Sequence, residues 1–279
     1  MTSKFLIHFS DRCSQLKSLR FENIQGRPKR RGESERFYQQ EMRASLEPGL
    51  ESVLIKAEGN LNELTIINCG PVITERCLWL VSCYARVLRS LTYRSVAHPP
   101  SAEVLWALAS GCRDITYLSL SPDNPRSPQQ ERFNNKCAYL IAKNYPHLKF
   151  ISLGGAGIDD VGLLIIAEKC QNLECLELYN FVNKLIQSSV ENMCTSGFQN
   201  LQELYFIHTA VDPKIIPEFA RLCPELKKIK IEVTIQDYFG DILQPKDKRK
   251  YKLIGLKLKS LKSQSKLDQI LELDFKDCK

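Results

Sequence analysis

One pattern governs this chain: leucine, two residues, leucine, one residue, leucine, with isoleucine or an aromatic residue standing in at some positions. It occurs as "LKSLRF" (Leu16–Phe21), "LNELTI" (Leu61–Ile66), "LRSLTY" (Leu88–Tyr93), "ITYLSL" (Ile115–Leu120), "LKFISL" (Leu148–Leu153), "LECLEL" (Leu173–Leu178), "LQELYF" (Leu201–Phe206) and "LKKIKI" (Leu226–Ile231). From Leu61 onward the first positions step by 27, 27, 33, 25, 28 and 25 residues. A ninth stretch, "ILELDF" (Ile270–Phe275), closes the series after a longer segment with helical spacing. A fixed period of this size with this leucine spacing is the leucine-rich-repeat signature.

Between the copies lie helix signals. Apolar residues at helical spacing follow cap candidates at Thr74, Ser101 and Asp159, and Asp212 precedes a proline. Each unit therefore reads as a short strand followed by a helix. Such a unit cannot bury a core alone, so neighbours must stack. The predicted fold is an α/β leucine-rich-repeat solenoid of eight to nine repeats, with parallel strands on the concave face and helices on the convex face. Residues 1–279 are expected to form a single domain. The step from Leu16 to Leu61 leaves room for a basic, loop-rich insertion at 26–58, and 245–279 read as a basic C-terminal capping segment.

The stretch "GGAG" (Gly154–Gly157) follows an apolar strand and precedes acids and a helix, an arrangement that resembles a phosphate site. It has neither GxGxxG spacing nor the lysine of a phosphate-binding loop. At the strand end of a repeat it reads as a turn, where glycine tolerates backbone angles that other residues resist. A nucleotide-dependent enzyme is thus the weakest of the functional readings, and no catalytic residue and no cofactor are expected.

Five of the eleven cysteines follow the same period. Cys13, Cys112, Cys170 and Cys223 each stand three residues before the first position of a repeat, and Cys69 three after Ile66. They read as small buried side chains at the turns. No CxxC pair is present, and His8, His98, His147 and His208 are scattered, so no metal site is expected.

Charge is uneven. The chain carries +7 overall, with +4 in residues 1–50, +6 in 245–279 and −3 in the body between them. "GRPKRRG" (Gly26–Gly32) reads as a solvated loop, with nuclear import through Arg27–Arg31 as the sharper alternative. The lysine-rich stretch from Lys246 reads as a capping helix rather than a membrane or nucleic-acid element, since terminal repeats need polar outer faces. No apolar run approaches the roughly 18 residues that span a bilayer. A cytoplasmic protein with no membrane and no nucleic-acid partner is expected. Ser121 and Ser127 precede prolines in "SPDNPRSPQQ" and are candidates for phosphorylation.

Repeats with cysteine ahead of the leucine pattern resemble the subclass found in F-box proteins. The block "ITERCLWLVSCYARVLRSLTYRS" (Ile73–Ser95), with "EVLWALASGCRDI", "GGAG", "NLECLEL" and "IQDYFGD" (Ile235–Asp241), is similar to the F-box only protein 41 family. That resemblance implies the target-holding half of a cullin-based ubiquitin ligase, with the F-box recruiting the ligase. Residues 1–13 read as the end of a repeat helix rather than as an F-box, with Phe5, Leu6 and Phe9 as exposed apolar surface. The cullin adaptor is therefore expected to bind only a version with an upstream F-box. The alternative is a free-standing repeat scaffold without a ubiquitin role.

Side chains alternate faces along a strand. With the leucines inward, the opposite face carries the columns Glu63, Ser90, Tyr117, Phe150, Cys175, Glu203, Lys228 and Thr65, Thr92, Ser119, Ser152, Glu177, Tyr205, Lys230. A third column adds Ile67, Arg94, Ser121, Gly154, Tyr179, Ile207 and Glu232. Tyr117, Phe150, Glu177, Tyr179, Glu203 and Tyr205 form the candidate protein-binding site, with the composition of a hot spot and a preference for a basic target segment.

Overall fold

The computed structural model describes residues 1–95, 100–121, 133–263 and 265–276. The chain, expected as one repeat domain, falls into two compact units, Met1–Phe133 and Asn134–Lys279.

In the first unit the elements are α1 (Ser3–Ser10), β1 (Ser18–Glu22), α2 (Glu35–Met42), α3 (Glu47–Lys56), β2 (Glu63–Ile67), α4 (Cys77–Tyr84), β3 (Ser90–Arg94), α5 (Ala102–Gly111) and β4 (Tyr117–Ser119). Its strands pair in parallel in chain order, in the register the leucine pattern sets: Leu19 faces Leu64, Leu64 faces Leu91 and Leu91 faces Leu118. Leu64, Ile66, Leu91, Tyr93, Leu118 and Leu120 are buried, while Thr65 and Thr92 between them are only half-buried. Period-two burial of this kind places the leucines beneath the helices and their neighbours on the opposite, open face.

Each repeat is also tied to the one before it through the backbone just ahead of the strand. The amides of Asn62 and Glu63 donate to the Lys17 carbonyl, those of Arg89 and Ser90 to Asn62, and those of Thr116 and Tyr117 to Arg89.

Residues 26–58, expected to be loop-rich, are helical over 35–42 and 47–56. Ser34 caps α2 by accepting from the Phe37 amide, and α3 is held by a contact that no local pattern reveals. The buried Glu47 carboxylate accepts from the backbone amide of Thr74 at 2.9 Å and from its hydroxyl at 2.6 Å, 27 residues away. The basic stretch is partly self-neutralised: Arg27 pairs with Glu33 and Glu41 and lies 5.5 Å from the Tyr38 ring, and Lys29 pairs with Glu35. Arg27 holds the Glu33 carboxyl down at about 2. Of the apolar residues near the start, Phe5 and Phe9 are exposed, but Leu6 is buried against α3.

The second unit contains α6 (Asn135–Asn144), β5 (Phe150–Gly155), α7 (Asp160–Lys169), β6 (Cys175–Phe181), α8 (Gln187–Ser196), β7 (Glu203–Ile207), α9 (Ile215–Leu222), β8 (Lys228–Val233), α10 (Ile235–Phe239), α11 (Pro245–Leu261), α12 (Ser265–Ile270) and β9 (Leu271–Phe275). Strands β5 to β9 are parallel and in chain order, with Ile151, Leu176, Leu204, Ile229 and Leu271 in one buried row. With strands and helices alternating at the repeat period, the fold is an α/β leucine-rich-repeat solenoid.

Asp159 caps α7 by accepting from the amides of Val161 and Gly162. Asp212 does not cap α9, which begins at Ile215. Its carboxylate instead accepts from the Lys214 amide in the preceding turn. Thr74 likewise sits one turn ahead of α4, accepting from the Arg76 amide. Asp247, Tyr251, Gly255 and Leu258 form the buried stripe of α11, and the Tyr251 hydroxyl donates to the Val233 or Lys276 carbonyl. The basic residues of that helix face solvent.

One position accounts for the glycine-rich stretch. Asn23, Asn68, Asn180 and His208 each stand seven residues after the first leucine of a repeat, and each has a left-handed backbone with φ near +50°. Asparagine and histidine are among the non-glycine residues that tolerate this region. Gly155, seven after Leu148, occupies the same place with φ of +87°. Gly154 meets a different constraint, because a Cβ there would stand 1.7 Å from the Tyr179 carbonyl oxygen. Gly154 and Gly155 are thus explained by repeat geometry, within and at the end of β5.

Cys112, Cys170 and Cys223 are fully buried at helix C-termini. The thiols of Cys112 and Cys170 donate to the carbonyls of Ala85 and Tyr145, the residues at the corresponding point of the preceding repeat. Ser121 is buried, so its hydroxyl is closed to a kinase in the folded chain, and Ser127 lies outside the described residues. Among the described residues no helix is long and apolar enough to cross a membrane, and no cluster of three metal-ligating side chains occurs.

Candidate protein-binding site

The open face follows the expected columns except at Gly154, where the β5–β6 register shifts between Leu153 and Gly155. Phe150 faces Cys175, which faces Glu203, which faces Lys228. Ser152, Glu177, Tyr205, Lys230 and Glu272 form the second row, and Tyr179, Ile207, Glu232 and Asp274 the third. Phe150, Glu177, Tyr179, Glu203 and Tyr205 are all half-buried, with part of each side chain open to solvent. Tyr117 stands in the first unit, beside Ser90 on the open face of β4, and is 37% exposed.

The aromatics do not stack in one column. Phe150, Tyr205 and Tyr179 occupy the first, second and third rows, which staggers them across β5, β6 and β7. The small residues of these rows, Ser152 and Cys175, are buried beneath their larger neighbours. The Ser152 hydroxyl donates to Glu177 at 2.6 Å, and burial pushes the Cys175 thiol well above its ordinary range.

Two tyrosines are held in fixed orientations. The Tyr205 hydroxyl donates to the Glu203 carboxylate at 2.7 Å, and Lys228 Nζ lies 5.8 Å from its ring centroid. Desolvation, reinforced by Glu203, raises the Tyr205 phenol, which stays protonated as a donor. The rings of Tyr179 and His208 meet nearly perpendicular with centroids 5.8 Å apart, a favourable aromatic geometry. Asp237 lies 3.7 Å from His208 Nδ1 and raises its pKa despite partial burial.

Lysines enter from β8 onward, and acids answer them. Lys228 pairs with Glu272 at 3.1 Å, Lys230 with Glu232 at 2.8 Å, and Lys276 also reaches Glu232. Lys230 and Lys276 together hold the Glu232 carboxyl at about 2. The face of β6 and β7 is therefore acidic and aromatic, while that of β8 and β9 is locally balanced. His208 and the β8–β9 ion pairs were not singled out from the sequence. His208 has a legible signal, however, because it falls at the left-handed position that Asn68 and Asn180 also occupy.

The chain is 38% identical over 271 residues to F-box only protein 41 of Mus musculus, and 37% identical over 271 residues to that of Homo sapiens. Each match covers 97% of this chain. The chain belongs to the F-box only protein 41 family. It spans 31% of the length of these two relatives. Over 135 residues it is also 29% identical to F-box protein SKIP19 of Arabidopsis thaliana, covering 48% of this chain and 41% of that protein. No protein-family model matches. Among solved structures it is similar to the yeast Rad7 and Elc1 complex, at 15% identity and a TM-score of 0.46, over 82% of this chain and 66% of that one. The fold described above and the curated relatives thus join a leucine-rich-repeat solenoid to F-box proteins.

Proposed function

We propose that this chain is the target-recognition domain of an F-box-type, cullin-based ubiquitin ligase, a cytoplasmic, non-enzymatic module that holds a protein for ubiquitination. The target is held on the open face of β5 to β7, and it presents a basic segment. The observation that carries this reading is the composition of that face. Three aromatics and two carboxylates, Glu177 and Glu203, stand on adjacent strands while the leucines fill the inward positions. Aromatic side chains held in place lose little entropy on binding, and carboxylates on the same face favour a cationic partner. Recruitment of the cullin adaptor belongs to an F-box outside the residues of this chain.

The test is quantitative affinity purification of the full chain against its Tyr179→Ala/Tyr205→Ala variant. Proteins with basic segments should be depleted from the variant, and their cellular levels should rise when cullin activation is blocked. An unchanged set of captured proteins would place the site elsewhere. Depletion without any change in level on the block would instead make the chain a scaffold with no ubiquitin role.

A further inference from the structure

The chain has two tryptophans, and neither is in the core: Trp79 is 42% exposed and Trp106 is 61% exposed. Their positions differ by 27, which is also the step between the two repeats concerned, so they occupy the same place on α4 and α5. Arg86 and Arg113 also differ by 27. Within each repeat the arginine follows the tryptophan by seven residues, in the turn just past the end of the helix. The period therefore sets a pair of indoles beside each other and a pair of guanidiniums beside each other, both at one helix–helix seam.

The structure opens a groove of about 720 Å3 at this seam, lined by Trp79, Cys83, Arg86, Trp106, Arg113 and Asp114, among others. Its floor is tight. A Cβ on Gly111 would lie 1.9 Å from the Ser82 carbonyl oxygen, so the end of α5 rests directly on the backbone of α4. The hydroxyls that could compete for a ligand here are already committed: Ser82 donates to the Trp79 carbonyl and Ser110 to the Trp106 carbonyl. Among the described residues, neither Arg86 nor Arg113 pairs with a carboxylate, Asp114 included.

We propose that this groove is a docking site for an acidic peptide segment of a protein partner, distinct from the target-binding face. A large apolar side chain of the peptide packs on Trp79 and Trp106, and its carboxylates pair with Arg86 and Arg113. Charge complementarity selects this occupant, with two open guanidiniums and one acid on the rim. Tryptophan and arginine are also the residues in which binding energy most often concentrates. The groove volume suits one anchoring side chain with its flanking backbone.

The two tryptophans make the site report on itself, because all indole emission arises within it. The probe is a phage-displayed library of random dodecapeptides, selected on the full chain and counter-selected on a Trp79→Ala/Trp106→Ala variant. Enriched peptides should carry aspartate and glutamate around a leucine or aromatic anchor. Synthetic copies should shift the indole emission to the blue, weaken with salt, and lose about tenfold or more in affinity to an Arg86→Glu/Arg113→Glu variant. That variant keeps both tryptophans, so it decides the matter even if the alanine variant fails to fold. Enrichment of basic peptides, no enrichment over the counter-selection, affinity unchanged by charge reversal, or dimerisation of the chain through this groove would each overturn the proposal.

Discussion

The carbonyl oxygen of Tyr179 stands 1.7 Å from where a Cβ on Gly154 would sit. A methyl group there has no room, since the obstacle is backbone rather than a movable side chain. Gly154→Ala should therefore force β5 and β6 apart and destabilise the fold by about 3 kcal/mol, at the upper end of overpacking costs. Urea unfolding checks this, with the exposed Ala156→Gly change as a control that stays within about 1 kcal/mol. Equal stability of the two variants would mean that the strands part without cost.

Tyr179→Ala and Tyr205→Ala should each weaken target binding by roughly 1–3 kcal/mol with little change in melting temperature. Both rings are only half-buried, and both keep to the open face while leucines occupy the core. Calorimetric titration of the captured target, alongside thermal melts, separates the two effects. Loss of folding with binding per folded molecule intact would make the tyrosines structural.

The charge of His208 should add stability in one pH window only. Asp237 raises the His208 pKa on folding, and the Asp237 carboxyl, although burial opposes it, is lowered by His208 and by the Thr234 amide. The imidazolium form thus stabilises the fold below the ordinary histidine value and ceases to do so as pH rises through the elevated one. At low pH the benefit fades again as Asp237 takes a proton. His208→Gln should cost on the order of 0.5 kcal/mol more near pH 5.5 than at alkaline pH, above a constant cost from the lost Tyr179 contact and the left-handed backbone. A penalty that does not change with pH would trace instead to the lost Tyr179 contact.

Removing one buried carboxylate should matter more. Glu47→Ala leaves the amide and hydroxyl of Thr74 without their acceptor inside the protein, at about 2–3 kcal/mol. A Glu47→Ala/Thr74→Val double variant should recover part of that loss, because the Thr74 hydroxyl is gone, at the cost of the bond it accepts from the Arg76 amide. Chemical denaturation of the wild type, the Glu47→Ala and Thr74→Val single variants and the double variant forms a closed cycle that tests it.

Thiol chemistry should divide the cysteines sharply. Burial raises Cys112 and Cys170 to about 12, whereas Cys83 is exposed in the tryptophan groove. A maleimide at neutral pH should label Cys83 within minutes and reach Cys112 and Cys170 only on unfolding. Peptide mapping by mass spectrometry reads both rates.

The leucine period was enough to place the buried rows and most of the open-face columns, because strand register in a stacked repeat follows from the spacing itself. It also carried the pairing of Trp79 with Trp106, legible as two residues one period apart. What lay beyond it was of two kinds. The helix at 47–56 depends on Glu47 reaching Thr74 across 27 residues, a contact between segments with no shared pattern. The ion pairs of Lys228 with Glu272 and of Lys276 with Glu232 depend on β9 lying beside β8, across a 17-residue helix that breaks the period. The left-handed position seven residues after the first leucine of five repeats was present in the sequence as Asn, Asn, Gly, Asn and His, a mixture whose common property is conformational rather than chemical.

The carbonyls of Lys17, Asn62 and Arg89 each receive the amides that open the next strand, so these three residues are interchangeable as joints. Excising residues 62–88 as a block would deliver the Arg89 and Ser90 amides to the Lys17 carbonyl that Asn62 and Glu63 had occupied. The cut ends would meet in an already compatible geometry, and α3 would then neighbour α5 with a single tryptophan left outside. The strand joints thus allow a change by whole repeats, although the buried Glu47 would need a new donor in place of the excised Thr74, whereas a deletion of half that size would leave both joints unmatched.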